Sequence, residues 1–149
     1  MQIRLVNIPA KLKSEEIKDA LNFFAETLMS KRMCNAISLK VCFGEKQENT
    51  TVWEDDNYRP REFTITINSK VGYRSMLLTL AHEMVHVKQY ATGDLRDSLR
   101  GPTLHRWMNK PYDAKEVDYW DQPWEIEAYG REYGLYLRFR ERRKKNAQA

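Results

Sequence analysis

Cysteine and histidine are scarce in this chain, and no apolar run approaches the roughly 20 residues that a membrane-spanning helix needs. Its two cysteines, Cys34 and Cys42, are too few for a disulfide framework. Neither has a histidine nearby to make a metal pair, so both are expected to be small thiols in or near the core. The opening residues include Arg4, Asn7 and Pro9, which interrupt the apolar stretch that a secretory signal requires. A cytoplasmic protein without a membrane partner is therefore expected. Internal repeats and low-complexity segments are absent too, and 149 residues suffice for one domain with a real core and no covalent staples.

Charge is present but unevenly placed. The net charge of +4 reflects a C-terminal excess, with Arg138, Arg140, Arg142, Arg143, Lys144 and Lys145 in a basic tail at about 138–149. Such a cluster can contact nucleic acid weakly. The plainer reading, which is preferred, is that cations at the last turns of a helix complement its dipole and keep the terminus solvated.

Hydrophobic periodicity divides the chain into an α+β order. Ile3 and Leu5 alternate with polar neighbours in a short strand over 2–7. Ser14 is the expected N-cap of an amphipathic helix that carries Ile17, Ala20, Leu21, Phe24 and Leu28 and ends near Arg32. Residues 37–43 alternate as a strand closed by Gly44. Two further strands, 51–53 and 63–67, flank the turn-rich Asp55-Asp56-Asn57-Tyr58-Arg59-Pro60. This predicts a small, mostly antiparallel sheet. A helix over about 73–90 follows, with Gly93 as its stop. From 94 to 122 the periodicity is lost, which predicts a long functional or mobile connection able to cover a cleft. Pro123 then opens a last helix that carries Trp124, Ile126, Ala128, Leu135, Tyr136 and Phe139.

Two of the three histidines fall within His82-Glu83-Met84-Val85-His86. On a helix, positions i and i+4 share a face, so both imidazoles can reach one metal ion. Glu83 projects about 100° further round, where its carboxylate can take a proton from a metal-activated water. The preceding Met76-Leu77-Leu78-Thr79-Leu80-Ala81 is apolar and helix-forming, and is expected to bury this helix and deliver the histidines to an interior cleft.

A catalytic zinc site needs a third protein ligand and an open fourth position. The downstream candidates are His105, Glu116, Asp118, Asp121, Glu125 and Glu127. Glu125 and Glu127 are favoured because a helix positions a ligand rigidly. Gly130 and Gly134 lie on the same helix, where each glycine costs about 1 kcal/mol relative to alanine. Together with Ile126 they predict a bare stripe that lets the histidine helix approach closely.

His-Glu-x-x-His, with Glu125-Ile126-Glu127-Ala128 on a later helix, resembles the gluzincin branch of the zincin metallopeptidases, over about residues 63–137. The small size and order of elements are similar to minimal single-domain members and to small metallopeptidases of tailed phages. That resemblance implies zinc held by His82, His86 and Glu125, with Glu83 as general base and a protein or peptide as substrate. It leaves His105 as the alternative ligand, the position where the SprT-like group takes a third histidine. Tyr129 stands where many gluzincins carry a second-shell Asp, Asn or His, so a partner for the ligands must come from elsewhere. Candidate donors to a developing oxyanion are His105, Tyr112, Tyr119, Tyr129 and Arg131, with Tyr129 and His105 put forward. Substrate is expected to add as a strand along 63–67. Two other readings compete with the peptidase: an SprT-like protease acting on DNA-associated proteins, and a zinc-stabilised binding or regulatory protein without turnover.

Overall fold

The first helix, α1 (Ser14–Leu28), turns Ile17, Ala20, Leu21 and Phe24 onto one face, and all four are fully buried. Ser14 lies inside this helix. The cap position belongs to Lys13, whose carbonyl accepts from the amides of Glu16 and Ile17. The helix stops at Leu28, short of Arg32, because Met29 is extended and Ser30 starts a second helix, α2 (Lys31–Ala36), by accepting from the Met33 amide at 3.3 Å.

The computed structural model describes residues 1–45 and 48–149. Among these, strands β1 (Gln2–Val6), β2 (Ser38–Gly44), β3 (Thr50–Trp53) and β4 (Glu62–Asn68) form one sheet in the order β1-β2-β4-β3. β1 and β4 both run parallel to β2, and only β3 is antiparallel, to β4. The expectation of a mostly antiparallel sheet is thus corrected for this main sheet. The link from β1 to β2 passes through α1 and α2, a helical crossover that brings the chain back in the same direction. β4 is an interior strand, so residues 63–67 offer no free edge, and β3 takes that place.

Leu39, Val41, Phe43, Phe63, Ile65 and Ile67 form the buried face of β2 and β4, in one cluster with α1 and with α3 (Tyr73–Thr92). Alternation with period two puts them on one side of the pleat. From α3, Leu77, Leu80, Ala81, Met84 and Val85 are fully buried. Gly93 ends α3 in the left-handed conformation, φ 81°, with its amide on the Tyr90 carbonyl.

Segment 94–122 is not an irregular connection. It holds a second, antiparallel sheet of β5 (Leu95–Asp97), β6 (Leu104–Trp107) and β7 (Lys110–Asp113), then a 3-10 turn at Tyr119–Asp121. Met108 and Asn109 both have positive φ, 49° and 66°, and make the tight two-residue hairpin that pairs Trp107 with Lys110. The last helix, α4 (Pro123–Gln148), packs along α3 and includes the basic C-terminal residues. The described residues form a single α+β unit with four helices and two small sheets. No helix among the described residues is long and apolar enough to cross a membrane.

Candidate metal centre

α3 presents His82 and His86 one turn apart, and the first turn of α4 presents Glu125 against them. Gln122 anchors that turn, its carbonyl accepting from the Glu125 and Ile126 amides at 3.0 Å. The two histidine Nε2 atoms are 3.2 Å apart. Glu125 Oε2 is 3.2 Å from His82 Nε2, and its Oε1 is 3.4 Å from His86 Nε2. Ligands about 2.0–2.1 Å from a tetrahedral zinc would lie about 3.4 Å from one another. The spacing is compatible with a metal ion, and these three residues are the one group of three or more among the described residues with metal-ligating atoms within 4.8 Å of one another.

The outer nitrogens decide how the rings face. His82 Nδ1 lies 2.8 Å from Glu132 Oε2, and His86 Nδ1 lies 2.8 Å from Gln89 Oε1. Both partners are acceptors, so each Nδ1 carries the proton and each Nε2 turns a lone pair inward. Two lone pairs and a carboxylate then converge on one point. Such a cluster repels itself unless a cation, either a proton or a metal, occupies the centre. The protonation balance follows. Burial pulls His82 down, but Glu125 and Glu132 outweigh it and raise it to about 9. Burial likewise opposes the charged form of His86, and Glu125 raises it. Burial would raise the Glu125 carboxyl, yet the two imidazoles hold it at about 2.

Glu132 answers what Tyr129 leaves open, for it supplies the carboxylate behind His82 from seven residues beyond Glu125, on the same side of α4. Gln89 is fully buried and also donates to the Trp124 carbonyl at 2.8 Å and to Glu127 at 3.1 Å. Glu127 is further held by Lys88 at 3.1 Å. It stands outside the ligand group, and so does His105. That residue sits on β6, with Nδ1 2.8 Å from Asp97 and its ring edge-on to Trp124. Tyr112 packs against the same indole, and Arg131 is exposed.

Glu83 is 5% exposed, and its Oε2 accepts from the Thr51 hydroxyl, which reaches over from β3. Tyr129 packs edge-on to His82 at 4.5 Å between ring centroids. Its hydroxyl is 3.2 Å from that of Tyr119, which in turn donates to Glu125 Oε2 at 3.1 Å. Burial and the Tyr129 hydroxyl push the Tyr119 phenol well above its ordinary value. Two cavities of about 510 and 220 Å³ meet here and share Asn49, His82, Glu83 and Tyr119. His105, Tyr112 and Arg131 line neither.

No protein-family model matches the chain, and neither a curated protein nor a solved structure is similar to it.

Two further expectations change. Gly130 and Gly134 are exposed, and a Cβ at either would meet nothing within 4 Å. They do not form the surface on which α3 rests. In the basic cluster, Arg142 and Arg143 pair with Asp19, and Arg143 also with Glu16, while Arg142 lies over Phe23 and Arg140 over Tyr73. These three arginines tie α4 to α1 and α3, while Arg138, Lys144 and Lys145 are exposed.

Proposed function

We propose that this chain is a zinc-dependent peptidase of zincin type, with His82, His86 and Glu125 as ligands and Glu83 as general base. The observation that carries the reading is the convergence of two histidine Nε2 atoms 3.2 Å apart with the Glu125 carboxylate, one oxygen 3.2 Å from His82 and the other 3.4 Å from His86, and a buried Glu83 carboxylate beside them. Histidine nitrogen and carboxylate oxygen suit zinc, and three protein ligands leave a position open. Zinc bound there supplies a Lewis acid that polarises a carbonyl and brings the pKa of a water toward neutrality.

The chain's own residues do the rest. Thr51 holds one oxygen of Glu83, so the other is free to accept the water's proton and return it to the leaving amine. Tyr119, already donating to Glu125 at the cleft, stays protonated across the working pH range and can turn its hydroxyl to the carbonyl oxygen as charge develops there. Tyr129 fixes the positions of both Tyr119 and His82. β3 offers a free strand edge directly above Glu83, where an extended peptide can add in register. The two cavities give it room on either side of the bond to be cut.

Elemental analysis of wild type, Glu125→Ala and His105→Ala tests the centre, and peptide hydrolysis by Glu83→Gln tests the chemistry. One zinc per chain, lost with Glu125 and kept without His105, is expected, together with a metal-loaded but inactive Glu83→Gln. A Glu83→Gln protein that works as well as wild type would reduce the site to a structural or binding role.

A further inference from the structure

At the end of α3 away from its first turn lies a further cavity, about 380 Å³, lined by Tyr58, Arg59, Gly93, Arg96 and Asn109. Its charge is unusual. Arg96 on β5 pairs directly across the ladder with Arg106 on β6, which puts both side chains on one face of the small sheet. Like charges in that register cost stability. Neither is neutralised, since among the described residues Arg59, Arg96 and Arg106 form no ion pair. The one carboxylate lining the cavity, Asp94, is taken by Lys88 at 3.1 Å.

The arginines are held ready. Arg96 lies over the Tyr58 ring at 4.6 Å, one of its terminal nitrogens donates to the Asn109 side chain, and its Nε is buried with no partner. Arg106 donates to the Asn109 carbonyl at 2.8 Å. Both contacts depend on a residue in the left-handed conformation, φ 66°. Capping α3 does not explain them, because Arg61 already donates to the Ala91 carbonyl at 2.7 Å. Unpaired guanidinium groups lining a cavity fit a carboxylate, which a guanidinium can grip with two parallel hydrogen bonds.

Tyr58 and Arg59 belong to the loop that follows β3, and on β5 Arg96 lines this cavity while Leu95, its neighbour on the opposite face of the strand, lines the metal-centre cavity. A peptide extended along β3 and past Trp53 runs toward the three arginines. Resting on the peptidase reading, we infer that Arg59 and Arg96, with Arg106 beside them on the sheet, form a specificity site for acidic side chains of the substrate, outside the catalytic centre.

Binding of a fluorescent oligoglutamate peptide to zinc-loaded Glu83→Gln protein tests this without turnover. Arg59→Ala with Arg96→Ala should weaken binding about tenfold or more, and Arg138→Ala, remote on α4, should leave it unchanged. Arg59→Ala alone, an exposed side chain with no hydrogen bond to lose, guards against misfolding and should show part of the loss. In wild type, an acidic peptide substrate should then show a lower KM than its glutamine counterpart, a difference that disappears in Arg96→Ala at unchanged kcat. Equal binding by the double variant would overturn the inference. So would equally good displacement by an oligothymidylate, which would mark a general polyanion surface. If the wild type hydrolyses nothing yet binds the peptide through these arginines, the peptidase reading fails and the acidic-peptide site stands. Cleavage indifferent to the arginines would mean the reverse.

Discussion

Replacing Glu132 probes the metal centre without touching a ligand. Its carboxylate lies 2.8 Å from His82 Nδ1, with the two side chains 23% and 10% exposed, so the hydrogen bond is short, charge-assisted and largely shielded from water. Residues in this position behind a metal-binding histidine contribute about 10- to 100-fold in affinity, or about 1.4 to 2.7 kcal/mol. Wild type contains its own comparison, since His86 is oriented by the neutral amide of Gln89 at the same distance. Glu132→Gln keeps an acceptor and loses only charge, and should weaken zinc binding by less than about tenfold. Glu132→Ala also frees the ring to rotate or change tautomer, and should reach the full range. Competition against a chromophoric chelator near neutral pH measures both. An alanine variant that binds zinc as tightly as wild type would refute the claim that Glu132 sets the orientation of His82. A glutamine variant weaker than the alanine one would refute the order of effects.

Four other outcomes are expected. Thr51→Val should keep its zinc but lose about tenfold in turnover, a part of the 10²- to 10⁴-fold that a general base supplies, read by kcat alongside metal content. Because His82 is raised to about 9 in the metal-free protein, its proton must leave before zinc enters. Apparent zinc affinity should therefore climb by up to about tenfold per pH unit as pH rises toward 9, a slope that chelator titrations at several pH values will report. The same shift has a stability sign: the metal-free protein gains from charged His82 fully below the unfolded value of 6.5, and loses that gain as pH rises through about 9. Gly130→Ala with Gly134→Ala should stabilise the protein by up to about 2 kcal/mol in urea unfolding, because both new methyls enter open space on a helix. Destabilisation would revive the close-packed stripe.

The centre was more legible in the sequence than its supports were. Two histidines four apart can share a metal only on a helix, and that spacing is visible in five consecutive residues. Glu125 could be singled out as a candidate because α4 has a clear beginning at Pro123. Glu132 could not, although its spacing of seven from Glu125 is a same-face signal, because nothing local distinguishes it from any exposed helical glutamate. Gly130 and Gly134 misled through their spacing, which says that they share a face but not which face is buried. Alternation at Phe63, Ile65 and Ile67 marks a strand with one buried side, and is silent on whether that strand lies at an edge. The parallel pairing had a readable sign, since two strands with helices between them form a crossover. The hairpin at Met108-Asn109 had almost none, because the tight turn usually advertises itself with glycine.

The proposed ligands stand on two helices, so a metal there would do for this chain what no disulfide does. It would be a removable cross-link between His86 and Glu125, closing a loop of roughly 40 residues, and in a chain-entropy account such a closure stabilises by about 4 kcal/mol. Within that loop lie β5, β6, β7 and the turn bearing Tyr119. Chelation would then untie that whole segment from α3 while leaving the main sheet intact, and protease nicking confined to residues 94–122 would be its mark.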